Sequence, residues 1–387
     1  MTSSFFKSTA VPNECYTENE IWGQPDLWIK LLNNFNIEKI KLRNYINKVL
    51  CDNEVNIILT GAGTSSFIGD VLLGAYNRNI NVPVSSIATT DLVTHPELFF
   101  NKNKKYLLIS FARSGNSPES SQAIILAEEL SKKVYHLIIT CSSDSKLMKI
   151  IAGKDHFVFL MPPEADDKGL AMTGSFTSML LAGLLISLIN KQVDIEDQVN
   201  TIHSYGKKIL KKSGELKKIA EMDFNRAVFL GSGMLKGVAR ESQLKLQELT
   251  DGKVICKYDS FLGFRHGPKV VINEKTLMVF LFSNNHYVND YEIDLVKGIN
   301  EGRRSLCSVG LMEENIGLRE LDLKIVLSDS GKKLDEGFLS VVSVLPAQIL
   351  GFYKSINLGL RPDSPSESGM IHRVVQGVKT YTYNNGD

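Results

Sequence analysis

The stretch "IILTGAGTS", Ile57 to Ser65, decides the reading of this chain because its pattern recurs. At an offset of 170 residues it lies over "VFLGSGML", Val228 to Leu235, pairing Gly61 with Gly231 and Gly63 with Gly233. In each copy a short apolar run leads through two glycines into a helical pattern, which is how a buried parallel strand, a tight turn and a crossover helix read in sequence. The first copy is accompanied by "VPVSSIA", "YLLISF", "VYHLIIT" and "HFVFLM", the second by "KVICKY", "TLMVFLF", "SLCSVGL" and "LKIVLS". Strands that alternate with helices predict an α/β chain of two tandem doubly wound parallel sheets.

Around this repeat the chain divides into four parts. Residues 1–44 are expected to form a helical N-terminal arm, beginning where Thr17 and Glu20 of "TENEIW" have capping-box spacing. The first domain is expected over 45–197, ending in a long apolar helix from about 169 to 190, and the junction falls in the polar, lysine-bearing stretch 191–218. The second domain is expected over 215–364, closing with one long helix from about Asp335 to Asn357, and residues 365–387 form a C-terminal tail that closes the site.

Composition narrows the function. Apolar residues make up 43% and charged residues 22% of the 387, with a formal net charge of +1, a globular profile that does not favour a nucleic-acid partner. Cys15, Cys51, Cys141, Cys256 and Cys307 are widely separated, so neither a zinc site nor a redox dithiol is expected and reduced thiols in the cytoplasm are. The N-terminus lacks a signal-peptide pattern, and the apolar run "MLLAGLLISLI" at 179–189 is well short of the roughly 18 residues that span a bilayer. No membrane association, metal or cofactor is expected.

The loop "SFARSGNSPES", Ser110 to Ser120, carries more serines, with an arginine and a glycine, than a turn needs. It and "GAGTSS" should both lie beyond the carboxyl ends of strands, where open α/β sheets bind ligands. Glycine, hydroxyls, backbone amides and a helix N-terminus together suit a phosphate, and Ser117-Pro118 reads as the N-cap and first residue of a helix. A dinucleotide is excluded: "GAGTSS" has Ser66 where the third glycine would stand, and "NRNINVPVSS" offers no acidic residue for a ribose. The lysine-bearing P-loop is absent as well. At nearly the repeat's offset, "LISFARSGN" falls on "VFLFSNNHY", so the second copy lacks the arginine and glycine of this loop. It offers instead a helix with Glu241, Lys245 and Glu248, and His266 on the constrained turn "GFRHGPK". Taken singly, a helix glutamate is most often a solvated face residue, whereas a histidine on such a turn is well placed to move protons.

"GAGTSSF", "SFARSGNSPES", "LAMTGSFT", "LKLQE" and "RHGP", in this order, together with "RPDSPSESGMIHRVVQGV" near the C-terminus, resemble the double sugar-isomerase (SIS) fold, as in the isomerase portion of glucosamine-6-phosphate synthase. The chain is most similar to the AgaS-type group of galactosamine-6-phosphate deaminases, formerly described as tagatose-6-phosphate ketose/aldose isomerases. The resemblance implies two SIS domains and a phosphorylated amino sugar as substrate. It places the phosphate cradle on Thr64, Ser65, Arg113, Ser114 and Ser117, Thr173 near the sugar, Glu248 as the proton-transferring group with Lys245 on the same helix face, and His266 in ring opening. In the synthase that histidine comes from a partner subunit, which implies a homodimer or higher homo-oligomer. The synthase ends in a ring-opening lysine, where this chain has His372 and Arg373; arginine stays protonated and is a poor proton shuttle, so ring opening is left to His266 or His372 and Arg373 to charge binding. An aldose–ketose isomerase without ammonia release and a non-catalytic sugar-phosphate sensor are the alternatives.

Overall fold

The computed structural model describes residues 15–383 apart from 303, 330 and 376, so the start of the expected arm and the last four residues of the tail lie outside the described residues. The chain opens with helix α1 (Tyr16–Leu50). The first half then runs β1 (Val55–Gly61), α2 (Thr64–Asn79), β2 (Val84–Ser86), α3 (Thr89–Thr94), β3 (Lys105–Ala112), α4 (Pro118–Leu130), β4 (Lys133–Thr140), α5 (Lys146–Ile151), β5 (His156–Leu160) and α6 (Gly174–Ser187). Helices α7 (Ile195–Leu210) and α8 (Ser213–Ala220) lead into the second half: β6 (Arg226–Gly231), α9 (Met234–Leu249), β7 (Ile255–Asp259), α10 (Phe261–Phe264), β8 (Thr276–Leu281), α11 (His286–Asn300), β9 (Cys307–Met312), β10 (Leu323–Val326), α12 (Glu336–Val342) and α13 (Leu345–Asn357).

Each half contains one five-stranded parallel sheet, ordered β2-β1-β3-β4-β5 and β7-β6-β8-β9-β10. These are the same order, with the switch in strand direction of travel between β1 and β3 and between β6 and β8. Register carries the sequence offset through the sheets: Gly61 stands beside Phe111, and Gly231 beside Leu281. The turns are superposable too. Gly63 caps α2 at φ 55°, ψ −130°, and Gly233 caps α9 at φ 54°, ψ −127°, a left-handed φ that an L side chain rarely adopts.

The halves are not separate bodies. Helix α2 packs on α9, and one continuous buried cluster includes Leu59, Phe111, Leu277 and Val309 from both sheets and Leu235 from α9. Helix α6 is buried along its whole length in the same cluster. A helix buried on every face is what its predominantly apolar sequence, with only small hydroxyl residues among its polar positions, requires.

Two expectations change and one is extended. The expected N-terminal helix is present, runs past residue 44 to Leu50, and packs on the body of the fold: Ile21, Trp28, Leu31, Leu32, Phe35 and Leu42 recur at helical spacing and are buried in the core. Its capping box does not form. The Thr17 amide and hydroxyl both donate to Asp363 Oδ1, at 2.7 and 2.6 Å, and Glu20 accepts from the Lys168 and Gly169 amides, so both side chains fasten distant segments instead of the local turn. The expected long helix from Asp335 is two helices, broken ahead of Pro346, whose ring excludes the carbonyl four residues earlier and whose nitrogen cannot donate. The combined stretch Glu336–Asn357 is long and apolar enough to cross a membrane by composition, yet 89% of its apolar window is buried inside the fold.

At Gly231 a Cβ would stand 2.3 Å from the Leu235 carbonyl oxygen, a backbone atom that cannot move aside. Gly231→Ala is expected to destabilise the chain by about 1–3 kcal/mol, read as a lowered midpoint in denaturant with an unchanged m-value.

Candidate active site

The β1/β3 switch point brings the two polar loops of the first half together, as sheets of this order do. A cavity of about 260 Å³ lies there, lined by Gly63 and Ser65 from the first loop and Arg113, Ser114 and Ser117 from the second. Gly115 takes φ 62°, and a Cβ there would meet the Ser145 hydroxyl at 2.4 Å; the loop can turn this tightly only with glycine. Ser117 is the N-cap of α4 and Pro118 its first residue, but the Ser117 hydroxyl donates to Glu119 Oε2 at 2.6 Å and makes no cap. Ser114 Oγ accepts from the Asn116 amide at 3.3 Å.

Arg113 is the electrostatic centre of this cavity. It is 6% exposed, Nη2 donates to the Arg373 carbonyl at 2.5 Å, and Nη1 is buried without a partner. Burial presses its pKa below the usual arginine value, against the opposing pull of Asp167. A buried guanidinium donor with nothing to bond is costly unless an anion supplies the acceptor.

Two residues expected here do other work. Thr173 is wholly buried, and its hydroxyl donates to Asp167 Oδ1 at 3.0 Å. Asp167 also accepts from the Thr173, Gly174 and Ser175 amides, so it caps α6 from seven residues away and Thr173 sits beneath the cavity floor instead of against a ligand. Arg373 does line the cavity, but its guanidinium is turned to Asp166 Oδ1 at 2.6 Å and to the Asp167 carbonyl at 2.7 Å. Its charge is therefore spent on anchoring the tail, and its backbone carbonyl is what reaches Arg113.

Thr64 is absent from the cavity lining because its hydroxyl faces the other half. Lys245 Nζ donates to Thr64 Oγ1 at 3.1 Å and to Glu248 Oε2 at 2.6 Å, and lies 3.3 Å from Glu241 Oε1. All three α9 residues lie at spacings of three and four, which puts them on one helix face. Lys245 is 1% and Glu241 0% exposed, while Glu248 keeps an open edge. Burial disfavours the Lys245 ammonium, but Glu241 and Glu248 outweigh it and hold its pKa above the ordinary lysine value. Burial pushes the Glu241 carboxyl up to about 8, with Lys245 opposing and Glu248 adding to the rise.

Glu241 is the functional neighbour that sequence reasoning undervalued; on an isolated helix it reads as a solvated face residue, and only the packing of α2 on α9 removes it from water. Asp167 carried no local signal at all. His266 stands apart: it caps a short 3-10 turn after α10, is exposed, and forms no hydrogen bond with the site residues of its own chain. His372 is exposed on the tail. Neither Glu241, Lys245, Glu248 nor any other group of described His, Cys, Asp and Glu side chains forms a metal-binding cluster.

The fold and the paired loops are those of sugar-phosphate proteins with an SIS domain, and the SIS domain family matches residues 50–188. Over 372 residues the chain is 38% identical to the D-galactosamine-6-phosphate deaminase AgaS of Shewanella sp. (strain ANA-3), covering 95% of this chain and 92% of that protein. It is 37% identical over 381 residues to the protein of the same name from Escherichia coli, covering 96% and 97%. The crystal structure of tagatose-6-phosphate ketose/aldose isomerase from Escherichia coli superposes with a TM-score of 0.84 at 34% identity, over 98% of this chain and 100% of that one. The chain belongs to the AgaS-type family.

A carboxyl whose folded pKa is raised binds a proton that the unfolded chain has already released. Stability contributed at low pH is then lost as pH rises from the unfolded value near 4 through the folded value of about 8. Glu241→Gln is expected to flatten this decline, so that variant and parent diverge in the variant's favour as pH rises from about 5 to 8, measured by urea unfolding at each pH.

Proposed function

We propose that this chain is a D-galactosamine-6-phosphate deaminase/isomerase, converting the amino sugar phosphate to tagatose-6-phosphate and ammonia. The observation that carries the reading is the first turn of α2. Ser65 lines the arginine-centred cavity while its neighbour Thr64 binds Lys245 beside Glu248. A phosphate held in the cavity thus leaves the rest of an open-chain sugar within reach of a carboxylate that keeps an open edge. The names of relatives that match over nearly the whole chain agree with this.

In this mechanism the phosphate sits on Ser65, Arg113, Ser114 and Ser117, with its oxygen meeting the unpartnered Nη1 of Arg113. Glu248 removes the proton from C2 of the open-chain aldose, and the electrons move into an enolamine. Return of the proton to C1, with a second proton passing from nitrogen to O1, yields a C1 alcohol and an imine at C2. Water adds to that imine and ammonia leaves, giving the ketose phosphate. Lys245, whose ammonium is favoured by the two acidic side chains beside it, aims Glu248 through their 2.6 Å contact; it is an orienting cation and not the base. No cofactor or metal takes part in these steps. Ring opening falls to a histidine, His266 or His372, and the exposed position of His266 on its turn suits a reach into the site of a second copy, so a homodimer or higher assembly belongs to the proposal. The second half repeats the strand order of the first, which supports a second SIS domain over 215–364, with the first over 45–197. A cytoplasmic reaction belongs to the same proposal, since a phosphate dianion keeps the sugar in the compartment where it is made.

Ammonia and ketose phosphate, followed together on galactosamine-6-phosphate and glucosamine-6-phosphate, test the reaction. Stoichiometric ammonia from the galacto sugar is expected; ketose formation from a non-amino aldose phosphate with no ammonia from either amino sugar would make the chain a plain isomerase. Glu248→Gln is expected to lower kcat by about 10²- to 10⁴-fold with little change in substrate affinity. Ser114→Ala is expected to weaken substrate binding roughly tenfold while sparing kcat. The opposite pattern, kcat lost in Ser114→Ala and retained in Glu248→Gln, would exchange the roles given to the two loops.

A further inference from the structure

The duplicated fold has two switch points, and only the first has been given a role. At the second, β6 leads into Gly231-Ser232-Gly233, with Gly233 at nearly the angles of Gly63, α9 begins there as α2 does, and β8 leads into Phe282-Ser283-Asn284. By register Ser283 occupies the place of Arg113. The backbone geometry that fits the first loop for an anion is therefore present twice.

What differs is the filling. No heavy atom lies within 4 Å of where a Cβ of Gly63 would stand, but Glu336 Oε2 is 3.6 Å from the corresponding point at Gly233. Glu336 Oε1 accepts from the Ser283 hydroxyl at 2.5 Å, and Glu292 Oε2 accepts from the Ser283 amide at 3.0 Å and from Asn289 Nδ2 at 3.1 Å. Glu292 is 0% exposed, and its second oxygen has no hydrogen-bond partner. Burial raises the Glu292 carboxyl to about 7 and that of Glu336 upward as well. Two carboxylates are thus crowded, against their desolvation cost, onto the donors of one loop. A core would have no reason to keep them there if the donors did not need an anion.

We propose that Glu292 and Glu336 occupy the second switch point as a built-in substitute for phosphate, so that the second half is a closed copy of the anion cradle in the first. The first cradle brings its own cation in Arg113 and takes its anion from the substrate; the second has Ser283 in that place and takes its anions from α11 and α12. A cavity of about 740 Å³ lined by Ser283, Asn284 and Asn289 adjoins this loop, which gives a small anion a route in once the carboxylates are removed. The comparison rests on reading the first cradle as a phosphate site.

Inorganic phosphate is the probe, added to the full-length chain at millimolar concentration against chloride of matched ionic strength. The double substitution Glu292→Ser with Glu336→Ser is expected to bind about one equivalent of phosphate more than the parent by calorimetry, and to gain a phosphate-dependent rise in Tm larger than the parent's. Placing Ser114→Ala in both backgrounds separates the two cradles: it should weaken the parent's equivalent roughly tenfold and leave the affinity of the new one unchanged. If the parent binds no phosphate while the double variant binds one, the first-cradle reading fails and the closed copy stands. A folded double variant that binds no more phosphate than the parent overturns the proposal. Should the double variant unfold in chloride, folding restored by phosphate supports it, and no restoration overturns it. Glu292→Gln with Glu336→Gln, which keeps the bulk in place, should gain no phosphate site; an extra equivalent there would show that shape was never the barrier and overturn the closed-copy reading.

Discussion

A lysine ammonium wholly removed from water, held between two carboxylates of its own helix and a hydroxyl of the opposite half, is the interaction on which this site depends. Lys245 could not be buried charged without them, because the cost of desolvating an ammonium exceeds what any single hydrogen bond returns. Glu241 and Glu248 come from α9 and Thr64 from the first turn of α2. The ion therefore forms only where α2 and α9 pack together, and it ties the proton-transferring carboxylate to the helix whose next residue, Ser65, lines the phosphate cavity. Duplicated scaffold and divided equipment meet at this one contact.

A second set of long-range bonds frames the same cavity. Asp363, six residues past α13, accepts from Cys15, Tyr16 and Thr17 at the start of α1, joining the segment after the last helix to the start of the first. Ten residues later Arg373 binds Asp166 and lays its carbonyl on Arg113. Asp167, beside Asp166, organises the start of α6. The tail, the α6 cap and the arginine of the cradle are thus one connected polar network, and the cavity's shape follows from all three.

Much of the fold was legible in the sequence. All ten strands fall on the runs read as strands; the central ones are buried on both faces and so must be continuously apolar and short, while the edge strands β2, β5, β7 and β10 are only partly buried. The paired glycines were legible for an equally local reason, the backbone angle each turn demands. The helix boundaries were less so: Pro346 divides a stretch that reads as one helix, and the capping-box spacing of Thr17 and Glu20 served partners more than a hundred residues away. Among site residues, Ser65, Arg113, Ser114 and Ser117 do gather at one cavity, whereas Thr64, Thr173 and Arg373 are turned to Lys245, Asp167 and Asp166.

The sequence by itself determined the strands, the turns and the inventory of chemistry-bearing side chains, since these follow from periodicity, backbone conformation and residue type, all of which are local. Only the tertiary structure decided which of those side chains are dry and what each one faces. Burial pushes the carboxyls of Glu241 and Glu292 up and Arg113 down, while acidic neighbours hold Lys245 up against it, and burial is a property of elements packing across the chain. No window of sequence around Glu241 distinguishes it from a solvated helix glutamate; the helix laid against it does.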